Sequence, residues 1–397
     1  MSLRKITDLD VKNKTVILRL DLNLPMKSGK FTDITRITRS IPTINYLLEQ
    51  NAKIVIISHM GRPKGEFVRQ LSLAPVVDEL EKLLKIKVRF ATDCIGLKVK
   101  NKIESMKLGE LIILENLRFN PGEEKNDIEF ARELSKLADV FINDTFSCSH
   151  RSHASIDAIT TLMPSAAGFL LMQELRHIQS LLDAPASPFV AIVGGAKIST
   201  KLDLLLGLLD KVDYLILGGA IANTFLYASG YTIGKSMIEI AFKDKALEIL
   251  SKAQQQNKSI LLPRDFMVKN VDGAIALRNL SAINDEEAIM DIGPSSSAKI
   301  AEIVNKAATL VWNGPLGAFE TPPYNGATFQ LARNISSATA NNALRSIIGG
   351  GDTVAALKSA GLAGGVTYTS TGGGAFLQWL EGKNLPGISA LLDSSYT

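Results

Sequence analysis

The stretch Ser346-Ile347-Ile348-Gly349-Gly350-Gly351-Asp352-Thr353-Val354-Ala355-Ala356 decides how the chain is read. Leu344 to Ile348 reads as a short buried strand, three glycines follow, and Asp352 is expected at a helix N-cap. Val354, Ala355, Leu357 and Lys358 suit that helix, and Gly361 suits its stop. Glycines allow backbone N–H groups to approach an anion, and a helix N-terminus adds a favourable dipole. Asp352 could also hold Mg²⁺ against phosphate oxygens, a pairing this cation favours. A plain strand-to-helix turn explains the glycines equally well, so the remainder of the chain must decide.

The same strand–loop–helix plan recurs in both directions along the chain. In the first half, strands are expected at Thr15–Asp21, Lys53–Ser58, Leu111–Glu115 and Asp139–Asn143. In the second half they fall at Phe189–Val193, Tyr214–Leu217, Ser259–Leu262, Thr309–Trp312 and Leu344–Ile348. They are short, continuous and rich in Val, Ile and Leu, as strands covered on both faces are. Helices are expected at Leu73–Leu84 behind Ser72, Ile128–Leu137 behind Asp127, Leu202–Leu209, Asp244–Gln256 and Ser295–Lys306. The alternation implies two parallel-sheet α/β domains. Leu171, Leu175, Ile178 and Leu182 follow helical spacing, so a helix is expected to bridge the halves near Pro164 to Pro188.

The totals narrow the function. Of 397 residues, 46% are hydrophobic and 21% charged, the balance of a soluble packed protein. No apolar run is long enough to span a membrane. The polar N-terminus does not resemble a secretion signal. Cys94 and Cys148 form neither a metal motif nor a disulfide framework, which favours the cytoplasm. A net charge of +4 is too small to suggest nucleic acid, but residues 1–165 hold 26 Lys+Arg against 21 Asp+Glu. A mildly basic first half suits an anionic small molecule.

Ligands in such sheets sit beyond the carboxyl ends of the strands, and the unusual residues fall there. The first half offers Arg19, Asp21, Asn23, His59, Gly61, Arg62, Arg118, His150, Arg151 and His153, with Arg36 after the first loop. Guanidinium groups bind phosphate or carboxylate at two points at once. His177, on the bridging helix, reads as structural, and Cys148 as a small buried hydrophobe. The second half offers Val193-Gly194-Gly195-Ala196-Lys197-Ile198-Ser199-Thr200-Lys201, whose lysines would share one face of a helix. Leu217-Gly218-Gly219-Ala220 and Val311-Trp312-Asn313-Gly314-Pro315 add two further glycine-bearing strand ends. Gly230 to Ser236 is one residue short of a P-loop, and Gly194-Gly195-Ala196 lacks the later glycine of the dinucleotide fingerprint.

Together these segments resemble the phosphoglycerate kinase family. The resemblance rests on RLDLNLP at 19–25, SHMGRP at 58–63, ENLRF at 115–119, residues 194–201, WNGPLG at 312–317, GGGDT at 349–353 and STGGG at 370–374. It implies two doubly wound parallel-sheet domains facing each other across a cleft and joined by a linker helix. The implied divisions are a phosphoglycerate-binding domain 1–168, a helix 169–186, a nucleotide-binding domain 187–372, and a segment 373–397 returning to the first domain. It implies reversible transfer of the acyl phosphate of 1,3-bisphosphoglycerate to Mg²⁺-ADP, giving 3-phosphoglycerate and ATP in glycolysis. Asp21, Asn23, Arg36, His59, Arg62, Arg118 and Arg151 would hold the phosphoglycerate. Gly195, Lys201, Gly219, Asn313, Glu320, Gly350, Gly351, Asp352 and Thr353 would hold ADP or ATP, with Asp352 at the Mg²⁺. Arg36, Lys197, Gly351 and Gly373 would be catalytic. The resemblance further implies a cytoplasmic monomer that binds neither nucleic acid nor membrane, and closes about a hinge near Gly372–Gly374. Alternatives are a kinase of the same fold acting on another carboxylate, or a non-catalytic nucleotide-binding protein. Ser147, where the family commonly has glycine, and the bulky Phe376 and Trp379 depart from its pattern.

Overall fold

Strand Thr15–Arg19 shows why the sequence builds a covered sheet. Val16 and Leu18 enter one hydrophobic cluster, while Ile17 enters another on the opposite face. Lys53–Ile57 divides the same way, with Ile54 and Ile56 on one side and Val55 and Ile57 on the other. Period-two geometry sends neighbours to opposite faces, so burial of both faces demands an unbroken apolar run.

The structure, a computed structural model, describes residues 3–392. It resolves into two compact units, Met1–Arg176 with Asn384–Thr397, and His177–Lys383. The final five residues of the expected 373–397 segment, and the first two of 1–168, lie outside the described residues. Helix Phe169–Asp183 spans the position where the units divide, and it buries Leu171, Leu175, Ile178 and Leu181. His177 stacks on Tyr368 with ring centroids 4.1 Å apart.

The first unit holds a six-stranded sheet in the order Val88–Phe90, Leu111–Ile113, Lys53–Ile57, Thr15–Arg19, Val140–Asn143, Ser165–Ala167. Every pairing is parallel. The second unit's sheet runs Ser259–Leu261, Tyr214–Leu217, Phe189–Val193, Thr309–Asn313, Arg345–Ile348, Tyr368–Thr369, again parallel throughout. Counted in chain order this is 3-2-1-4-5-6, the doubly wound arrangement, whose switch point lies between Phe189–Val193 and Thr309–Asn313.

Several expectations need correction. Asp352 is not an N-cap: helix Gly351–Ser359 already includes it, and Gly350 caps the helix at φ +97°. The middle glycine of the three, Gly350, takes the sharp turn in place of aspartate. Lys197 and Lys201 do not share a helical face. Lys197 is extended (φ −132°, ψ 114°), Ile198–Thr200 is a single 3₁₀ turn, and the α-helix begins only at Leu202. The helix expected from Leu73 starts at Val76, behind Pro75, while Ser72 donates to Glu115 Oε2 at 2.7 Å. Strands Val88–Phe90, Ser165–Ala167 and Tyr368–Thr369, two or three residues long and at sheet edges, add to those expected. So does an antiparallel sheet centred on Asp265–Lys269, with Ile275–Asn279 and Ala288–Ile292 on either side.

Candidate functional site

In the first unit the candidate side chains stand at or just beyond the carboxyl ends of the central strands. Arg19 ends its strand fully buried. Its Nε donates to Ser155 Oγ at 2.9 Å, one terminal nitrogen donates to the Leu20 carbonyl, and the other lies 3.3 Å from His59 Nδ1. A guanidinium nitrogen can only donate, so Nδ1 is the acceptor and the His59 proton resides on Nε2. Burial, and then Arg19, Arg118, Arg36 and Arg151, hold His59 well below its usual pKa. The imidazole is therefore neutral and presents one N–H donor.

Asp21 organises the neighbouring group. It accepts from Asn23 N at 3.0 Å, from Arg36 Nη1 at 3.1 Å, and from the Ser147 hydroxyl. Arg36 also donates to the Asn23 carbonyl at 2.6 Å, and Asn23 Oδ1 accepts from Gly61 N at 2.9 Å. Arg118 donates to the Gly61 carbonyl at 2.7 Å and pairs with Glu124 at 3.2 Å. Asp21, Asn23, Arg36, Gly61 and Arg118 thus form one connected network. Arg62 is exposed, and Arg151 is half-buried with its Nε 3.2 Å from His150 Nε2. Among the described residues neither has a carboxylate within ion-pair distance. His153 is pushed down to about 3 by burial and then by Arg118 and Arg19. The region therefore offers guanidinium charge without histidine charge.

The sequence offers Arg19 as a strand-end arginine without naming its partners, and Ser155 and Glu123 carry no signal there. Glu123 is buried, and burial raises its pKa against the pull of Arg19 and Ser155. It accepts from Ser155 Oγ at 2.6 Å, which in turn accepts from Arg19. Only the fold brings together residues 19, 123 and 155, so no local pattern announces them.

The second unit's site is made of backbone. At the switch point Gly194 and Gly314 pack so closely that a Cβ on Gly194 would lie 2.0 Å from the Pro315 carbonyl. Gly195 and Gly219 take φ of +109° and +61°, and a Cβ on Gly219 would meet the Gly195 carbonyl at 2.7 Å. Lys201 extends beneath this loop, donating to the carbonyls of Gly194 at 2.7 Å and Asn313 at 3.2 Å. Burial lowers its pKa to about 8, and Asp352 nearby works in the opposite direction. Asn313 is buried and donates to the Gly349 carbonyl at 2.7 Å.

A cavity of about 460 Å³ opens over these loops, and Gly195, Gly219, Met237, Met290, Glu320 and Asp352 are among its lining. The apolar contribution of Met237 and Met290 to the lining, beside the acidic Asp352 and Glu320, has no signal in the sequence. Thr353 is fully buried, and its hydroxyl accepts from Gly314 N at 2.6 Å, so the side chain latches the loop. Gly351 is exposed, and Lys197 is exposed on its extended segment. Gly373 (φ +48°) precedes helix Gly374–Leu380. From that helix Phe376 fills the space over Gly349, where a Cβ would lie 2.2 Å from its ring. Among the described residues no three His, Cys, Asp or Glu side chains cluster as a metal cage, and no helix is long and apolar enough to cross a membrane.

Comparison with known proteins gives one answer. The family model described as Phosphoglycerate kinase matches residues 6–383. A phosphoglycerate kinase from Orientia tsutsugamushi is 50% identical over 396 residues, covering 99% of this chain and 98% of that protein. One from Wolbachia pipientis is 48% identical over 394 residues, covering 98% and 99%. The solved structure of the Coxiella burnetii phosphoglycerate kinase is 42% identical, with a TM-score of 0.89 over 98% of this chain and 99% of that one. That from Pyrococcus horikoshii is 34% identical, with a TM-score of 0.87 over 99% of each.

Proposed function

The chain belongs to the phosphoglycerate kinase family, and from that premise we propose that its first unit binds phosphoglycerate and its second binds ADP or ATP. The reaction is reversible transfer of the acyl phosphate of 1,3-bisphosphoglycerate to ADP. One P–O bond to the glycerate carboxylate breaks, and one P–O bond to the terminal oxygen of ADP forms. That oxygen is already ionised, so no general base is needed, and catalysis rests on positioning and charge.

The observation that carries this reading is the network joining Asp21, Asn23, Arg36, Gly61 and Arg118. Arg62, Arg118 and Arg151 meet the non-reacting phosphate and the carboxylate, His59 donates from Nε2, and Asp21 and Asn23 take the substrate hydroxyl. In the second unit Gly195 and Gly219 admit the nucleotide, Glu320 takes its ribose, and Lys201 meets its phosphates. Asn313, Gly350 and Thr353 hold the loop that bounds them. Lys197 and Arg36 balance charge on the group in flight, with Gly351 and Gly373 as further backbone donors.

A single exposed Asp352 beside a phosphate site fits Mg²⁺, which takes one or two carboxylates and completes its shell with phosphate and water. Asp352 would hold the ion, which when bound would neutralise phosphate charge, and Lys201 would supply the adjacent cation. Because the ligands belong to different units, the reacting atoms must come within about 3–3.5 Å, and closure on both ligands is part of the proposal. We also place the protein in the cytoplasm as a monomer.

A coupled assay tests the reading. ATP consumption should require Mg²⁺ and 3-phosphoglycerate, with 2-phosphoglycerate and glycerate far poorer. Equal turnover of another carboxylate would transfer the assignment to a different acceptor, and no turnover at all would leave a binding protein.

A further inference from the structure

A second cavity, of about 400 Å³, lies in the second unit at the carboxyl ends of strands Tyr214–Leu217 and Ser259–Leu261. It has no lining residue in common with the nucleotide cavity. We infer that it is a binding site for a small amphipathic anion, an apolar body carrying one carboxylate or sulfonate.

The walls establish the apolar part. Ile216, Leu217 and Ile300 are buried at its floor, Leu261 and Leu262 are half-buried, and Pro263 closes one side. The volume falls within the range of small-ligand pockets, and beyond-strand-end positions are where α/β sheets hold ligands. Water in such a concavity lacks hydrogen-bond partners on the apolar side, so an apolar body that displaces it gains free energy.

The rim establishes the charge. None of the lining residues is acidic, whereas Arg264 and Lys299 are both cationic and exposed. Among the described residues Arg264 has no carboxylate within ion-pair distance. Lys299 pairs with Glu302 at 2.8 Å, but both side chains are about 60% exposed, and such pairs contribute little. Both cations are thus available to a ligand.

A polyphosphate is the wrong occupant. Helix Pro294–Lys306 starts at the rim, yet its first free N–H groups are taken by Asp265. Ser295 N donates to Oδ2 at 2.9 Å and Ser296 N to Oδ1 at 2.7 Å. The helix end is therefore already neutralised. Only the two side-chain cations remain to meet an anion, and one compact charge on an apolar body suits them.

The probe is 8-anilino-1-naphthalenesulfonate, titrated by fluorescence into the full chain with and without saturating ADP. The uncharged N-phenyl-1-naphthylamine is run in parallel. A saturable sulfonate signal should survive ADP. Arg264→Glu should weaken it at least about tenfold, the effect of losing a charge-assisted contact, while leaving the uncharged probe unchanged. Leu262→Trp, which fills the cavity, should remove both signals. Near-UV circular dichroism and turnover of each variant establish that the fold is intact. Loss of the whole signal to ADP would place the probe in the nucleotide cavity and overturn the inference. So would binding that neither substitution alters.

Discussion

The two proposed anion sites, one in each unit, are built by opposite means. In the first, charge comes from side chains: Arg19, Arg36, Arg118 and Arg151 stand around a neutral His59, with Arg36 and Arg118 steadied by Asp21 and Glu124. In the second it comes mainly from backbone, with glycine loops interlocked at 2.0–2.7 Å of virtual Cβ contact and one half-buried lysine beneath them. Side-chain sites can be weakened one residue at a time, because each guanidinium is a separable contact. Backbone sites resist that, because the groups that bind are fixed by turns only glycine can make. The difference suits the proposed ligands: a small rigid acid-phosphate is gripped from several directions, while a long nucleotide lies along an open loop.

Lys197 offers the largest expected break in this comparison, since it is an exposed side chain at a backbone site. Lys197→Ala should lower kcat by about 10²-fold or more, as loss of a charge-stabilising donor does, with ADP affinity little changed. Steady-state kinetics beside calorimetry separates the two. Near-normal kcat would remove Lys197 from the chemical step and make the second site wholly backbone.

A smaller effect follows from Lys201. Its folded pKa of about 8 lies below the usual lysine value because of burial. The group is charged below pH 8 and neutral above it, and phosphates favour the charged form. ADP binding above pH 8 must therefore take up a proton, and affinity should fall by up to about tenfold per pH unit there. The same depression means that the folded state gains stability between pH 8 and the unfolded lysine value, where only the unfolded chain stays protonated. Calorimetry at pH 7, 8 and 9 should show the decline in the native chain and its disappearance in Lys201→Met. A pH-independent affinity would take Lys201 away from the phosphates.

The sequence told more about the second unit's frame than about its details. Phe189–Val193, Tyr214–Leu217 and Leu202–Leu209 were legible to the residue because apolar runs and glycine punctuation agree there. The antiparallel sheet around Asp265–Lys269 was not, since a half-exposed strand such as Ile275–Asn279 gives a weak signal. Four-residue spacing misread Lys197 and Lys201, because Ile198–Thr200 forms a 3₁₀ turn that delays the helix. In the first unit the strand-end arginines were legible, but their partners were not. Ser155 and Glu123 reach Arg19 from more than a hundred residues away, a contact that no local pattern encodes. Phe376, which the sequence marked only for its bulk, packs against Gly349.

The most direct test of this division is a calorimetric cross. 3-Phosphoglycerate and ADP are titrated separately into the native chain, Arg118→Ala, Arg151→Ala and Lys201→Met. Each arginine variant should lose about 1.5–3 kcal/mol of 3-phosphoglycerate affinity, the range for charged hydrogen bonds, and bind ADP as the native chain does. Lys201→Met should do the reverse. If either arginine variant loses ADP affinity while keeping that for 3-phosphoglycerate, the assignment of ligands to units is contradicted.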